Sequence, residues 1–444
     1  MPELPNQIAM AAGDYFMHGQ DFRMRRAGLR GNACCAVIKL APGFDSELLQ
    51  RRLAASPLMN WLSRVQTARV LPALFPMRWR LASHPEPILF EHAAAAGEAD
   101  KPWFLPEVVA QRKLHAGRPP GVVFDIFRHA DGSRHLFISW NHTHLDARGL
   151  DLLLNHLNSD DPAKAEAAQN AFIHPKQTSG SIRTWWKSVQ LARGSVKWLN
   201  ESGAEPLFSL TPGHQRPTGC KNHYQVICFT ENETARIDAR CRKFNCTFKR
   251  SHFYLAASLR AVHPIATQRG NTDGAYLIPV PHDTRKHGAS GPIFSNHLSI
   301  LFYRVAPTFA GSLSGILGEL SRQMTDQIRD KFPEACMAAL DMFRPLPLGF
   351  YIRHLGKPTR GKFATFSFSD SGETCANIKE FCGGKILEVT HLVPAWRPPG
   401  MMLVFLRFAN RLSAQLSWVD DCVSVAEAAD IQREIRRALL EEES

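Results

Sequence analysis

Apolar residues run almost unbroken from Ala33 to Leu40 and stop at Pro42-Gly43, which predicts a buried strand over 32–40 followed by a turn. Asp45 then precedes Leu48, Leu49 and Leu53, which share one side of a helix over 46–55 that the carboxylate can cap. Further on, 121–127 and 134–140 flank Asp131-Gly132, a dipeptide suited to a tight hairpin, so two adjacent antiparallel strands are expected. The second delivers the chain into Asn141-His142-Thr143-His144-Leu145-Asp146, after which Leu150, Leu153, Leu154 and Leu157 form a helical stripe. A dense polar cluster therefore sits at a strand-to-helix junction.

Between 158 and 178 the pattern lapses into Asp, Ala and Pro, the mark of a surface connection. Trp185, Trp186, Val189, Ala192, Val196 and Leu199 then recur at helical spacing, with Lys187, Arg193 and Lys197 largely elsewhere around the helix. Such a helix suits either a membrane surface or the body of the protein. The second is favoured, because Gly194 is expected to interrupt it. The second half predicts a strand over 224–229, helices over 231–244 and 252–262, strands over 275–280, 297–305, 363–368, 386–392, 402–407 and 412–419, and a closing helix over 426–440. Strands and helices mix in both halves, which is an α+β layered sandwich. The expected division is 1–175, a connecting segment 176–220, and 221–444.

The 444 residues, 44% hydrophobic and 21% charged, supply a sizeable core and exclude wholesale disorder. The first thirty residues lack the apolar stretch of a secretory signal or membrane span, so a cytoplasmic protein is expected, with peripheral membrane contact left open through the 185–199 helix. Ten cysteines without a C-x-x-C pair indicate reduced thiols rather than a zinc ribbon or disulfide framework. The net charge of +12 favours an anionic partner. No nucleic-acid-binding motif accompanies it, which leaves a phosphate-bearing cosubstrate, an acidic carrier protein or an anionic lipid surface.

Three readings compete for the polar cluster. In the first, His142 and Asp146 only cap the next helix and His144 fills a gap. In the second, His142, His144 and Asp146 bind metal. Their H-x-H-x-D spacing resembles the entry motif of the metallo-β-lactamase-like hydrolases, although Ala147 stands where that family has another histidine. Further ligands would come from His214, His223 or His282-Asp283.

In the third, the register Asn141 to Ala147 resembles the H-H-x-x-x-D-G motif of the chloramphenicol acetyltransferase-like superfamily, its second histidine falling on His142. That superfamily includes condensation domains of peptide synthetases and wax ester synthase/diacylglycerol acyltransferases. The likeness extends in order along the chain. Gly13-Asp14-Tyr15-Phe16 is similar to the family's opening, and Arg118-Pro119-Pro120 to the stretch before the hairpin. Ile278 to Arg285 is similar to its strand ending in arginine, and Ser295-Asn296-His297-Leu298-Ser299 to the segment that follows. Phe366 to Gly372 and Asp420-Asp421 occupy the places of its late strand and of the approach to its terminal helix. Ser251-His252 stands where the wax ester synthases carry Asn-Asp.

The resemblance implies two acetyltransferase-like subdomains forming a pseudo-dimer with a cleft between them. His142 would be the general base for acyl transfer from a CoA or phosphopantetheinyl thioester to a hydroxyl or amine. It implies no bound cofactor or metal. Asp146 would point away and pair with Arg285. Asn141, Asn296 and Ser369 are candidates for holding acceptor or oxyanion. An acyl carrier protein is an alternative source of donor, and a non-catalytic binding protein of the same fold is the remaining alternative. Without an adenylation or carrier segment in the chain, a stand-alone enzyme is expected.

Overall fold

The computed structural model describes residues 6–68, 77–161, 182–212, 220–286, 288 and 291–441. The first half runs β1 (Gln7–Ala9), α1 (Ala12–Arg26), β2 (Ala33–Leu40), α2 (Ser46–Ala55), α3 (Pro57–Leu62), β3 (Val65–Ala68), β4 (Arg78–Leu81), β5 (Leu89–Ala93), α4 (Glu107–Ala110), β6 (Val122–Arg128), β7 (Arg134–Asn141) and α5 (Ala147–Leu157). After α6 (Ile182–Ala204), the second half begins with β8 (Asn222–Cys228), α7 (Glu231–Lys243), α8 (Arg250–Gln268), β9 (Tyr276–Asp283) and β10 (Leu298–Val305). It continues with α9 (Leu313–Arg329), α10 (Phe332–Phe343), α11 (Leu348–Gly356), β11 (Ser367–Glu373), β12 (Glu380–Phe381), β13 (Gly384–Leu392), β14 (Met401–Phe408), β15 (Arg411–Val419) and α12 (Val425–Leu440).

Two main sheets result, one of six strands in the order β12-β13-β2-β7-β6-β5 and one of four in the order β11-β14-β15-β8. The unbroken apolar run in β2 has its cause here. Ala36, Ile38 and Leu40 enter one core while Cys35 and Val37 enter another on the opposite face, so every position is covered. Asp45 caps α2 by accepting from the Leu48 N–H at 2.9 Å. On α5, Leu150, Leu153, Leu154 and Leu157 are all buried, each worth about 1.5–3 kcal/mol relative to exposure. The second half has its own core, in which Phe253 and Leu259 of α8 meet Leu403, Phe405 and Leu416 of the sheet and Ile431 and Ile435 of α12.

Several expectations need revision. The late strand begins at Ser367 rather than Phe363, and α8 extends from Arg250 to Gln268 through Pro264. Gly194 does not interrupt α6, which continues to Ala204. Its Ala192 and Ser195 are buried and it packs along α10, although Trp186 remains 52% exposed. Strand β13 from the second half pairs with β2 and completes the first half's sheet, a link between the halves that the sequence does not disclose. The surface connection expected after residue 158 falls mostly outside the described residues. No helix among the described residues is long and apolar enough to cross a membrane. All ten cysteines are free, and nine are buried.

Candidate functional site

The polar cluster occupies the turn between β7 and α5, and it is clamped from three directions. Within the turn, the Asn141 Oδ1 accepts from the Thr143 N–H at 3.0 Å and from its hydroxyl at 2.6 Å. The His142 N–H donates to the Asn32 carbonyl at 2.8 Å, tying the turn to the start of β2. Asp146 caps α5 by accepting from the Gly149 N–H at 2.6 Å.

The second clamp is the segment between β9 and β10. Arg285 donates from Nη1 and Nη2 to the two Asp146 oxygens, each at 3.0 Å, and from Nε to the Pro292 carbonyl. The His297 N–H adds a bond to Asp146 at 2.9 Å. With side-chain exposures of 3% for Arg285 and 10% for Asp146, this is a buried bidentate pair joining the two halves. The Ser295 N–H also donates to the His144 carbonyl.

The third clamp is α1, whose buried carboxylates lie seven residues and two turns apart on one face. Asp14 accepts from the Ser295 hydroxyl, the Asn296 backbone and side-chain N–H groups and the Trp79 indole, while burial pushes its pKa up. Asp21 accepts from the Asn141 amide at 2.9 Å and from the Asn32 N–H, and it is paired with Arg25. Gly13 permits this contact, since a Cβ there would lie 2.6 Å from the Asn296 carbonyl oxygen.

These bonds fix the protonation of His142. The Asn296 Nδ2 donates to Asp14 and to the His142 and Thr143 carbonyls, so its Oδ1 must be the atom 3.1 Å from the His142 Nδ1. An amide oxygen only accepts, so Nδ1 carries the proton and Nε2 keeps its lone pair. No hydrogen bond to protein occupies Nε2 among the described residues. Burial draws the His142 pKa below its ordinary 6.5, favouring the neutral ring.

His142 lines a cavity of about 190 Å³ between the halves, with Phe16 and Met17 of α1 on one side and Ile300, Phe302, Phe363 and Met402 on others. The apolar side of α6, through Val196 and Leu199, forms part of the wall. Ser369 lines it as the sequence leads one to expect. Ser367, Gln20 and Arg23 line it too, and sequence reasoning missed all three. The Ser367 hydroxyl is enclosed with no partner. Asn141 and Asn296, by contrast, have their amides committed to internal bonds. Those bonds hold the turn.

The metal reading does not survive the geometry. His144 is fully buried against Trp79 and Phe294, and burial lowers its pKa to about 4, while Asp146 is saturated by Arg285 and backbone N–H groups. Among the described residues, the side chains close enough to share an ion are Cys220, Asp420 and Asp421, which belong elsewhere. His223 faces Asp420, and His214 lies outside the described residues. The capping reading is correct for Asp146 but leaves the cavity-facing His142 unexplained.

No protein-family model and no curated protein matches the sequence. Solved structures do match. The chain is similar to the trichothecene 15-O-acetyltransferase of Fusarium sporotrichioides, with a TM-score of 0.69 at 11% identity over 98% of this chain and 96% of that one. It is similar to the epimerization domain of the third module of tyrocidine synthetase B, with a TM-score of 0.65 at 14% identity, and to the first condensation domain of the CDA synthetase, at 0.63 and 11%. In both comparisons the match covers 98% of this chain and 96% of the other. With the His142 turn, the paired halves and the cavity between them in hand, the chain is assigned the chloramphenicol acetyltransferase-like fold, in its pseudo-dimeric form.

Proposed function

We propose that this protein is an acyltransferase that moves an acyl group from a thioester to a hydroxyl or amine, with His142 as general base. One observation carries the reading. The His142 ring is held in its Nδ1–H tautomer by Asn296, leaving a basic Nε2 at a cavity between two halves. Fold alone would not choose the reaction, since the similar structures include an epimerization domain as well as an acetyltransferase.

In the reaction, the acceptor O–H or N–H gives its proton to Nε2 as its heavy atom attacks the thioester carbonyl. The tetrahedral oxyanion collapses, the C–S bond breaks, and the thiolate takes the proton back from the imidazolium. An ester or amide and a free thiol leave, with no net change in the protein. The Ser367 and Ser369 hydroxyls at the cavity wall are the available donors to the oxyanion. Asp146 and Arg285 act as positioning residues, since they hold the turn while facing each other.

The donor is acyl-CoA or an acylated phosphopantetheine arm on a carrier protein. A doubly substituted mutant of the starter condensation domain of rhizomide synthetase, similar to this chain at a TM-score of 0.61 and 14% identity over 98% of this chain and 94% of that one, is known in complex with C8-CoA and Leu-SNAC. The net charge of +12 attracts either phosphate-bearing donor. The test is a mass-spectrometric screen of acyl-CoA and acyl-pantetheine donors against pooled alcohols and amines. Acyl products formed by the native protein and lost in His142→Ala support the reading. Products unaffected by His142→Ala refute it, and donor binding without any product selects the non-catalytic alternative.

A further inference from the structure

Arg23 reaches from the last turns of α1 into the cavity that holds His142. Five other arginines drawn inward have acidic partners: Arg25 with Asp21, Arg112 with Asp125, Arg285 with Asp146, Arg397 with Asp421 and Arg407 with Asp238. Arg23 has none among the described residues. Its Nη2 donates to the Pro398 carbonyl, and its guanidinium stacks on Phe363 with 3.9 Å to the ring centroid. Its Nε and Nη1 are closed off from solvent and have no partner. Burial alone draws its pKa down to about 9, with no neighbouring carboxylate opposing the shift, so it remains charged at neutral pH.

The residues lining the cavity include no Asp or Glu. A charged guanidinium over an aromatic ring, with Nε and Nη1 idle in a chamber lined mostly by apolar side chains, costs stability unless something completes it. The missing element is an anion that enters with the substrate.

We propose that Arg23 is a specificity-determining residue that binds a carboxylate on one of the two substrates of the acyl transfer. This rests on the acyl-transfer reading for which molecules enter, but not for the presence of the anion site. A carboxylate fits because one of its oxygens can accept from the idle Nε or Nη1 and the other from the second N–H of Nη2, whose first is taken by the Pro398 carbonyl. It can arrive at the far end of a dicarboxylic acyl group or on a hydroxy or amino acid acceptor.

The test measures equilibrium binding of matched pairs by titration calorimetry, one substrate at a time, so that binding is read without turnover. Glutaryl-pantetheine is compared with its terminal amide for the donor arm, and 3-phenyllactate with 3-phenyllactamide for the acceptor arm. The native protein should prefer the acid over the amide by about tenfold or more in one arm. Arg23→Gln should erase that preference, and Arg23→Lys should keep part of it. Equal binding of acid and amide in both arms, binding of neither acid, or a preference that persists in Arg23→Gln would overturn the proposal. The native acid-to-amide comparison decides the matter even where a variant fails to fold. Transfer of neutral acyl groups that depends on His142, with no preference for acids, would leave the acyl-transfer reading standing and this inference refuted.

Discussion

Asn296 does for His142 what no neighbouring carboxylate does, since it accepts from Nδ1 without adding a negative charge beside the ring. Burial sets the direction of the shift, outweighing the His142 backbone carbonyl, the Asp146 and Asp14 charges and Asn296, all of which favour the imidazolium. Because the neutral ring is the active form, kcat/KM for acyl transfer should hold as pH falls through 6.5 and decline only below it. A pH profile between 4.5 and 8 measures this, and an acidic midpoint above 6.5 would contradict it. Asn296→Ala removes the Nδ1 acceptor and frees the other tautomer. It should lower kcat by about 10²-fold with little change in KM, which steady-state kinetics would read directly. The place of His142 at a strand-to-helix turn was legible in the sequence, because an apolar strand pattern ends directly before it and a helical stripe follows. The task of Asn296 was not. Only the three acceptors around its Nδ2 orient the amide, and those come from residues more than 150 positions away.

At the level of elements, α1 organises the site, and it is the helix that the hydrophobic pattern hides. Asp14, Gln20 and Asp21 are buried among Tyr15, Phe16, Met17 and Met24, so polar residues occupy inward positions and no clean apolar stripe appears. Helices α9 to α11 were missed as well, whereas α2, β6, β7, β8 and α12 stand within a residue or two of expectation. The close fit of α1 makes Gly13 restrictive. Gly13→Ala should cost about 1–3 kcal/mol in urea unfolding and reduce turnover, since its Cβ would push the Asn296 backbone away. The Asp146–Arg285 pair gives a second check. Arg285→Ala leaves a buried carboxylate without its cation and should cost about 3–5 kcal/mol. Removing Asp146 as well should recover part of that loss, and Arg285→Lys should not restore the bidentate geometry. Denaturation of the four proteins as a double-mutant cycle measures the coupling, and additive losses would show that the pair is not the clamp described here.

The two halves are knitted together at the scale of the whole molecule in a way that composition and periodicity do not disclose. Strand β13 was recognisable as a strand over 386–392, but its partner was not, because a period-two pattern records which face is buried and is silent about which edge is paired. In the structure β13 lies antiparallel to β2 from Leu392 opposite Cys35 to Ile386 opposite Leu40. Strand β2 is apolar on both faces and pairs with β7 along its other edge. Removing the second half would therefore bare a hydrophobic strand edge, strip Asp146 of Arg285, and leave Asp14 without Asn296. A fragment of residues 1–161 should aggregate when expressed alone and become soluble when residues 182–444 are supplied as a separate chain. Size-exclusion chromatography of the fragments, singly and together, reads the outcome. A monomeric, folded 1–161 fragment would mean that the halves fold independently. The shared strand and the buried ion pair would then be a late docking contact, and the cavity at His142 could open as the halves part. If the fragment folds only with its complement, the cavity walls are fixed relative to each other. Substrates must then enter without the halves parting, and replacements at the β2–β13 seam should alter stability and turnover together.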